Sequence, residues 1–124
     1  MSRERLPNRR PQITSEVQYV DIFAQGRPMV IEVSFGFNHQ WFLREIFIAS
    51  KSHPLTPLLN DICILVSRLL QSGDTIESIA ESLGENRNEG QEVGAPSSFI
   101  GAIARQGVTV QADIRRSTRS NHDH

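Results

Sequence analysis

Three groups of residues in this chain have types and spacings suited to chemistry. Lys51-Ser52-His53-Pro54 sets an ammonium and an imidazole just ahead of an apolar helical stripe. Free amide hydrogens, the positive end of the helix dipole and two side-chain donors would meet there, which is a setting for an anion. Arg5, Arg9 and Arg10, grouped around Asn8, form a candidate fork for phosphate oxygens, because guanidinium groups match them bidentately. Gln71 places an amide near the far end of the same helical stripe. The first two groups also have plainer readings. The first is an ordinary helix start punctuated by proline, and the second a solvated arm lying across a sheet with Leu6 and Pro7 packed.

Other reactive side chains are sparse. Glu45 sits between Leu43 and Phe47, where it is either a carboxylate available as acid or ligand or the partner of a neighbouring arginine. Cys63 is the only cysteine and is flanked by Ile62 and Ile64, so the chain can form no internal disulfide and no thiol pair for zinc or redox exchange. His39 and His53 lack a matching carboxylate or thiol spacing, and His122 and His124 lie in a polar tail, so no metal site and no cofactor are predicted. There is no phosphate loop, no Gly-x-Ser-x-Gly, no dinucleotide fingerprint and no helical His-Glu-x-x-His. With no nucleophile and base at suggestive spacing, binding is favoured over catalysis.

The elements that must position these residues belong to one domain, since 124 residues support a single modest core. A net charge of −1 gives no whole-molecule attraction for nucleic acid or acidic membrane. The distribution is uneven: residues 1–11 carry four arginines against Glu4, residues 113–124 carry Arg115, Arg116 and Arg119, and six acids lie between Asp74 and Glu92. Arginine outnumbers lysine twelve to one, which fits either codon bias or a surface selected for guanidinium geometry. The start lacks an apolar signal region and no apolar run approaches the ~18 residues of a membrane helix, so a cytoplasmic location is expected.

Residues 1–12 read as an extended basic arm, 13–112 as the domain and 113–124 as a disordered tail. Ile13–Phe23 has strand composition, Gln25–Pro28 supplies a turn, and Met29, Ile31, Val33, Phe35 and Phe37 alternate with less apolar neighbours as one face of a strand. Trp41–Ser50 carries apolar residues on both faces, which predicts a central strand or one covered by the arm. Leu55 to Leu70 form one helical stripe that Gly73 ends, and Asp74 to Glu77 has capping-box spacing for a second helix closed by Gly84. Glu85–Gly94 reads as a mobile loop. Ser97 or Ser98 caps a short third helix that Gly107 ends, and Val108 and Val110 could add an edge strand. The prediction is an α+β fold: an antiparallel sheet of three to four strands, with two main helices and a short third helix packed on one face.

Several segments, taken in order, resemble the TSCPD domain, a small domain named after a Thr-Ser-Cys-Pro-Asp motif. They are Arg3–Pro11, Phe35-Gly36-Phe37, Glu45–Lys51, Leu65–Gly73 and Ala95–Ile103, with Glu45-Ile46-Phe47, Ser67–Gly73 and Ser98-Phe99-Ile100-Gly101 standing for recurrent family segments. The naming motif is absent, Asn38–Trp41 stands where the family often has Asp-Gly-Arg, and Arg68 replaces a small residue. The resemblance implies an association with ribonucleotide reductase and deoxynucleotide metabolism. One cysteine and 124 residues exclude the reductase barrel and its redox pair. The implied role is therefore a non-catalytic accessory or binding module, acting on a reductase or a nucleotide-like, phosphate-bearing ligand. The alternatives are a nucleic-acid-binding or regulatory protein using both basic ends, and a homodimeric structural subunit joined through sheet edges or a leftover apolar helix face.

Overall fold

The computed structural model describes residues 11–20, 28–50, 53–85 and 94–122, with side chains as far as Thr118. Three antiparallel strands come first: β1 (Gln12–Val20), β2 (Pro28–Phe37) and β3 (Leu43–Ile48), in spatial order β1-β2-β3. Three helices follow: α1 (Thr56–Gln71), α2 (Ile76–Ser82) and α3 (Phe99–His122). This is the α+β architecture the sequence predicts.

Alternation decides the faces of the sheet. Val17 of β1, the Ile31, Val33, Phe35 and Phe37 set of β2, and Leu43 and Ile46 of β3 are buried on the inner face. The register pairs Val17 with Ile31 and Phe35 with Ile46, and an irregularity at Gly36/Phe37 brings Leu43 opposite Phe37, so Leu43 and Ile46 share the inner surface despite their odd spacing. β3 proves to be an edge strand, with β2 at the centre. Among the described residues no fourth strand pairs with it and α1 packs along its outer edge, while cover by the arm, the other expectation, falls on residues outside those described. The β2–β3 turn is organised by Asn38, whose Oδ1 accepts from the amides of Gln40 and Phe42, both at 3.0 Å. Trp41 takes a left-handed φ of 66°, a rare conformation for a bulky residue, while its ring packs 6.4 Å from that of Phe37.

α1 buries Leu59, Cys63, Val66, Ser67 and Leu70 along one side. It ends as expected at Gly73, with φ 111°: the Asp74 amide donates to the Leu69 carbonyl at 3.1 Å and the Gly73 amide to that of Leu70 at 3.2 Å. This is a Schellman closure. α2 is capped one residue later than the spacing suggests, by Thr75, whose hydroxyl accepts from the Ser78 amide at 3.1 Å. Ser98 caps α3 through the Gly101 amide, also at 3.1 Å.

α3 departs most from expectation. It runs through Gly107, through the residues proposed as an edge strand and on to His122, so it is long rather than short. Gly107 is not a stop. A Cβ there would lie 3.0 Å from Leu43 Cδ2, 3.2 Å from Ile76 Cγ1 and 3.4 Å from Phe35 Cε1, so the glycine lets the helix approach the sheet closely. Buried Ile103 and Val110 and half-buried Ile114 continue one stripe past it. Burial of that stripe outweighs the ~1 kcal/mol propensity penalty of an internal glycine.

Candidate functional site

Arg5, Arg9, Arg10 and Lys51 lie outside the described residues. His53 is described, and its Nδ1 accepts from the Leu55 amide at 3.1 Å while its carbonyl accepts from the Thr56 amide at 3.0 Å. Its ring stands edge-on to Phe99 at 6.1 Å, and Phe99 in turn contacts Tyr19 at 5.7 Å. In this arrangement His53 shapes the entry to α1. Gln71, at the other end of the helix, donates through Nε2 to the Arg44 carbonyl at 3.3 Å. The two candidates are a helix length apart and form no common site.

Gln71 belongs to a set of polar contacts that closes the outer side of β3. Ser67 Oγ donates to the Ile46 carbonyl at 3.0 Å and accepts from the Ile46 amide at 2.8 Å. Gln111 Oε1 accepts from the Leu43 amide at 2.7 Å, and its Nε2 donates to Glu77 Oε1 at 2.6 Å. Buried Ser67 and Gln111 and half-buried Gln71 do the hydrogen bonding a further strand would otherwise supply.

Beside Gln111 opens a cleft of about 400 Å³ lined by Phe42, Glu77, Gln111, Ala112, Arg115 and Arg116. The Arg115 guanidinium carbon lies 3.9 Å above the Phe42 ring centre and that of Arg44 lies 5.5 Å away. Both are within cation–π range. Arg115 donates to the Gln40 carbonyl at 2.6 Å, and exposed Arg116 pairs with Asp113 at 3.5 Å. Arg115, Arg116 and the Phe42 ring thus line one cleft together with Glu77, which Gln111 holds. The sequence reading missed this cluster because it placed Arg115 and Arg116 in a tail. The available signal was the four-residue step from Gln111 to Arg115, which puts both on one face if the segment is helical.

A second cleft, of about 650 Å³, is lined by Glu77, Glu81, Glu85 and Arg105, among others. Its charges are largely engaged. Arg105 bonds the Gly94 carbonyl and lies 3.6 Å from Glu85. Among the described residues no group of three or more His, Cys, Asp or Glu side chains is placed to hold a metal ion.

The element order, the Ser98 cap and the close of α1 at Gly73 sit within a sequence match to the TSCPD domain over residues 3–110. The chain belongs to the TSCPD domain family. No curated protein and no solved structure gives a significant match. TSCPD domains are linked to ribonucleotide reductases, and in this one the lone Cys63 is wholly buried among Leu59, Val66 and Leu70. Burial pushes its thiol up to about 12, so at neutral pH it supplies no thiolate. The match ends at Val110, and Gln111, Arg115 and Arg116 of this TSCPD chain lie beyond the matched residues. Among the described residues no helix is long and apolar enough to cross a membrane.

Proposed function

We propose that this TSCPD protein is a non-catalytic accessory module in a ribonucleotide reductase setting, binding a nucleotide-like or phosphate-bearing ligand in the Phe42–Arg115–Arg116 cleft. The observation that carries the reading is the stacking of Arg115 on Phe42 at the rim of that cleft, with Arg116 one residue on. Guanidinium groups suit phosphate oxygens, and the flank of Phe42 and the Glu77 carboxylate suit a base or sugar hydroxyl. Arg5, Arg9, Arg10 and Lys51 would add to the same positive field if their segments reach it.

Isothermal titration with nucleoside di- and triphosphates, paired with capture of a ribonucleotide reductase, tests the proposal. Binding should weaken about tenfold or more in Arg115→Ala, in line with loss of a charge-assisted contact. Absence of both nucleotide heat and reductase capture would sink it. The same arginines also fit a nucleic-acid backbone. That alternative predicts affinity for DNA that falls steeply with salt and is lost in Arg9→Ala/Arg10→Ala.

A further inference from the structure

α1 is apolar on two sides. Its inner side packs on β3, yet Leu58 (60%), Ile64 (52%), Leu65 (60%) and Leu69 (47%) on the outer side remain exposed. On a helix of 3.6 residues per turn, Leu58, Leu65 and Leu69 fall within about 40° of one another. Asp61 and Arg68, both exposed, share the adjacent row, with Ile64 beyond it. A group of large apolar side chains rimmed by charge is the usual composition of an interaction surface.

We infer that this face of α1 binds a second copy of the chain, with the two α1 helices antiparallel across a two-fold axis near Leu65. The inference is independent of the proposed ligand. Charge order selects both occupant and direction. Asp61 and Arg68 lie almost symmetrically about Leu65, so an antiparallel pairing sets Asp61 of each copy opposite Arg68 of the other. A parallel pairing about an axis along the helices would put the charged rows of the two copies on opposite flanks of the contact, where Asp61 and Arg68 could not pair. The antiparallel arrangement also brings Leu65 against its own copy and interleaves Leu58 with Leu69, as a self-complementary two-fold contact requires. Since Ser67 and Gln71 already hold α1 on β3, the helix is fixed in place before the copies meet.

Sedimentation equilibrium on the full chain tests this. The wild-type protein should be dimeric at micromolar concentration. Leu65→Glu places two carboxylates together on the axis and should raise the dimer Kd ~100-fold or more, as for loss of a central contact residue. Because position 65 is exposed, its circular dichroism should stay that of the wild type. Asp61→Arg and Arg68→Asp should each weaken the dimer, and the two together should restore it. A monomeric wild-type chain overturns the inference, even if a reductase is captured through this face. So does a dimer indifferent to Leu65→Glu or not restored by the charge exchange.

Discussion

Along β3, the outward amide and carbonyl of Ile46 are both bonded by Ser67, the Arg44 carbonyl by Gln71 and the Leu43 amide by Gln111. Along β1, the register turns the amides of Thr14, Glu16 and Gln18 away from β2, and among the described residues no strand lies beyond them. One edge is closed by helix side chains, and the other presents exposed, polar Gln12, Thr14, Glu16 and Gln18, with exposed Val20 at its end. An edge strand can therefore be apolar on both faces when neighbouring helices bring polar atoms to its backbone. Where no helix does so, polar and charged side chains remain the guard against unwanted pairing.

The largest effect should come from Cys63, which lies on the buried side of α1. If α1 stays fixed to β3, thiol labelling of the native protein at neutral pH should be ~1000-fold or more slower than that of the unfolded chain, because it requires opening of a stable unit. Rapid labelling without denaturant would break the comparison. The pH dependence has a definite sign. Burial raises the folded pKa from 9.0 to about 12, so the neutral thiol is the form the fold accommodates. The associated stability is complete below pH 9 and is lost as pH rises through about 12. Cys63→Ala should remove that alkaline component, as read by denaturant unfolding at a series of pH values.

Next in size are the polar contacts themselves. Ser67→Ala strips a buried amide and a buried carbonyl of Ile46 of their partner and should cost about 2–3 kcal/mol. Gln111→Ala leaves the Leu43 amide unsatisfied and frees Glu77, for about 2 kcal/mol. Gln71→Ala removes one longer, half-buried contact and should cost less than 1 kcal/mol. Urea unfolding midpoints measure the order. If Ser67→Ala is neutral, the closed edge contributes no stability.

The contrast between the edges was only half legible in the sequence. The period-two run of β2, the α1 stripe with its Gly73 stop and the Ser98 cap are local signals, and the structure bears them out. Ser67, Gln71 and Gln111 are not local signals, since their role depends on where β3 comes to lie. Gln71 was singled out for an anion, and its amide bonds the Arg44 carbonyl, a role that no local pattern signals. Gly107 misled for a similar reason. A glycine that ends a helix and one that admits a close neighbour look alike until Leu43, Ile76 and Phe35 are in place. Reading it as a stop also concealed Arg115 and Arg116, and with them the cleft beside Phe42.

The smallest effect concerns the open edge, and amide hydrogen exchange reads it without mutation. The Ile46 and Leu43 amides, held by Ser67 and Gln111, should exchange only through opening close to the global free energy. The outward amides of Thr14, Glu16 and Gln18 should exchange faster by orders of magnitude, although their strand pairs with β2 along nine residues. The inward amides of Ile13, Ser15 and Val17 supply the control, because they share the strand but face β2. Slow exchange at Thr14 and Glu16 would mean that a further part of the chain, or a second copy, covers β1. Comparing wild type with Leu65→Glu separates those cases: a copy joined through α1 should leave β1 protection unchanged, whereas one joined at the sheet edge should respond to dilution alone.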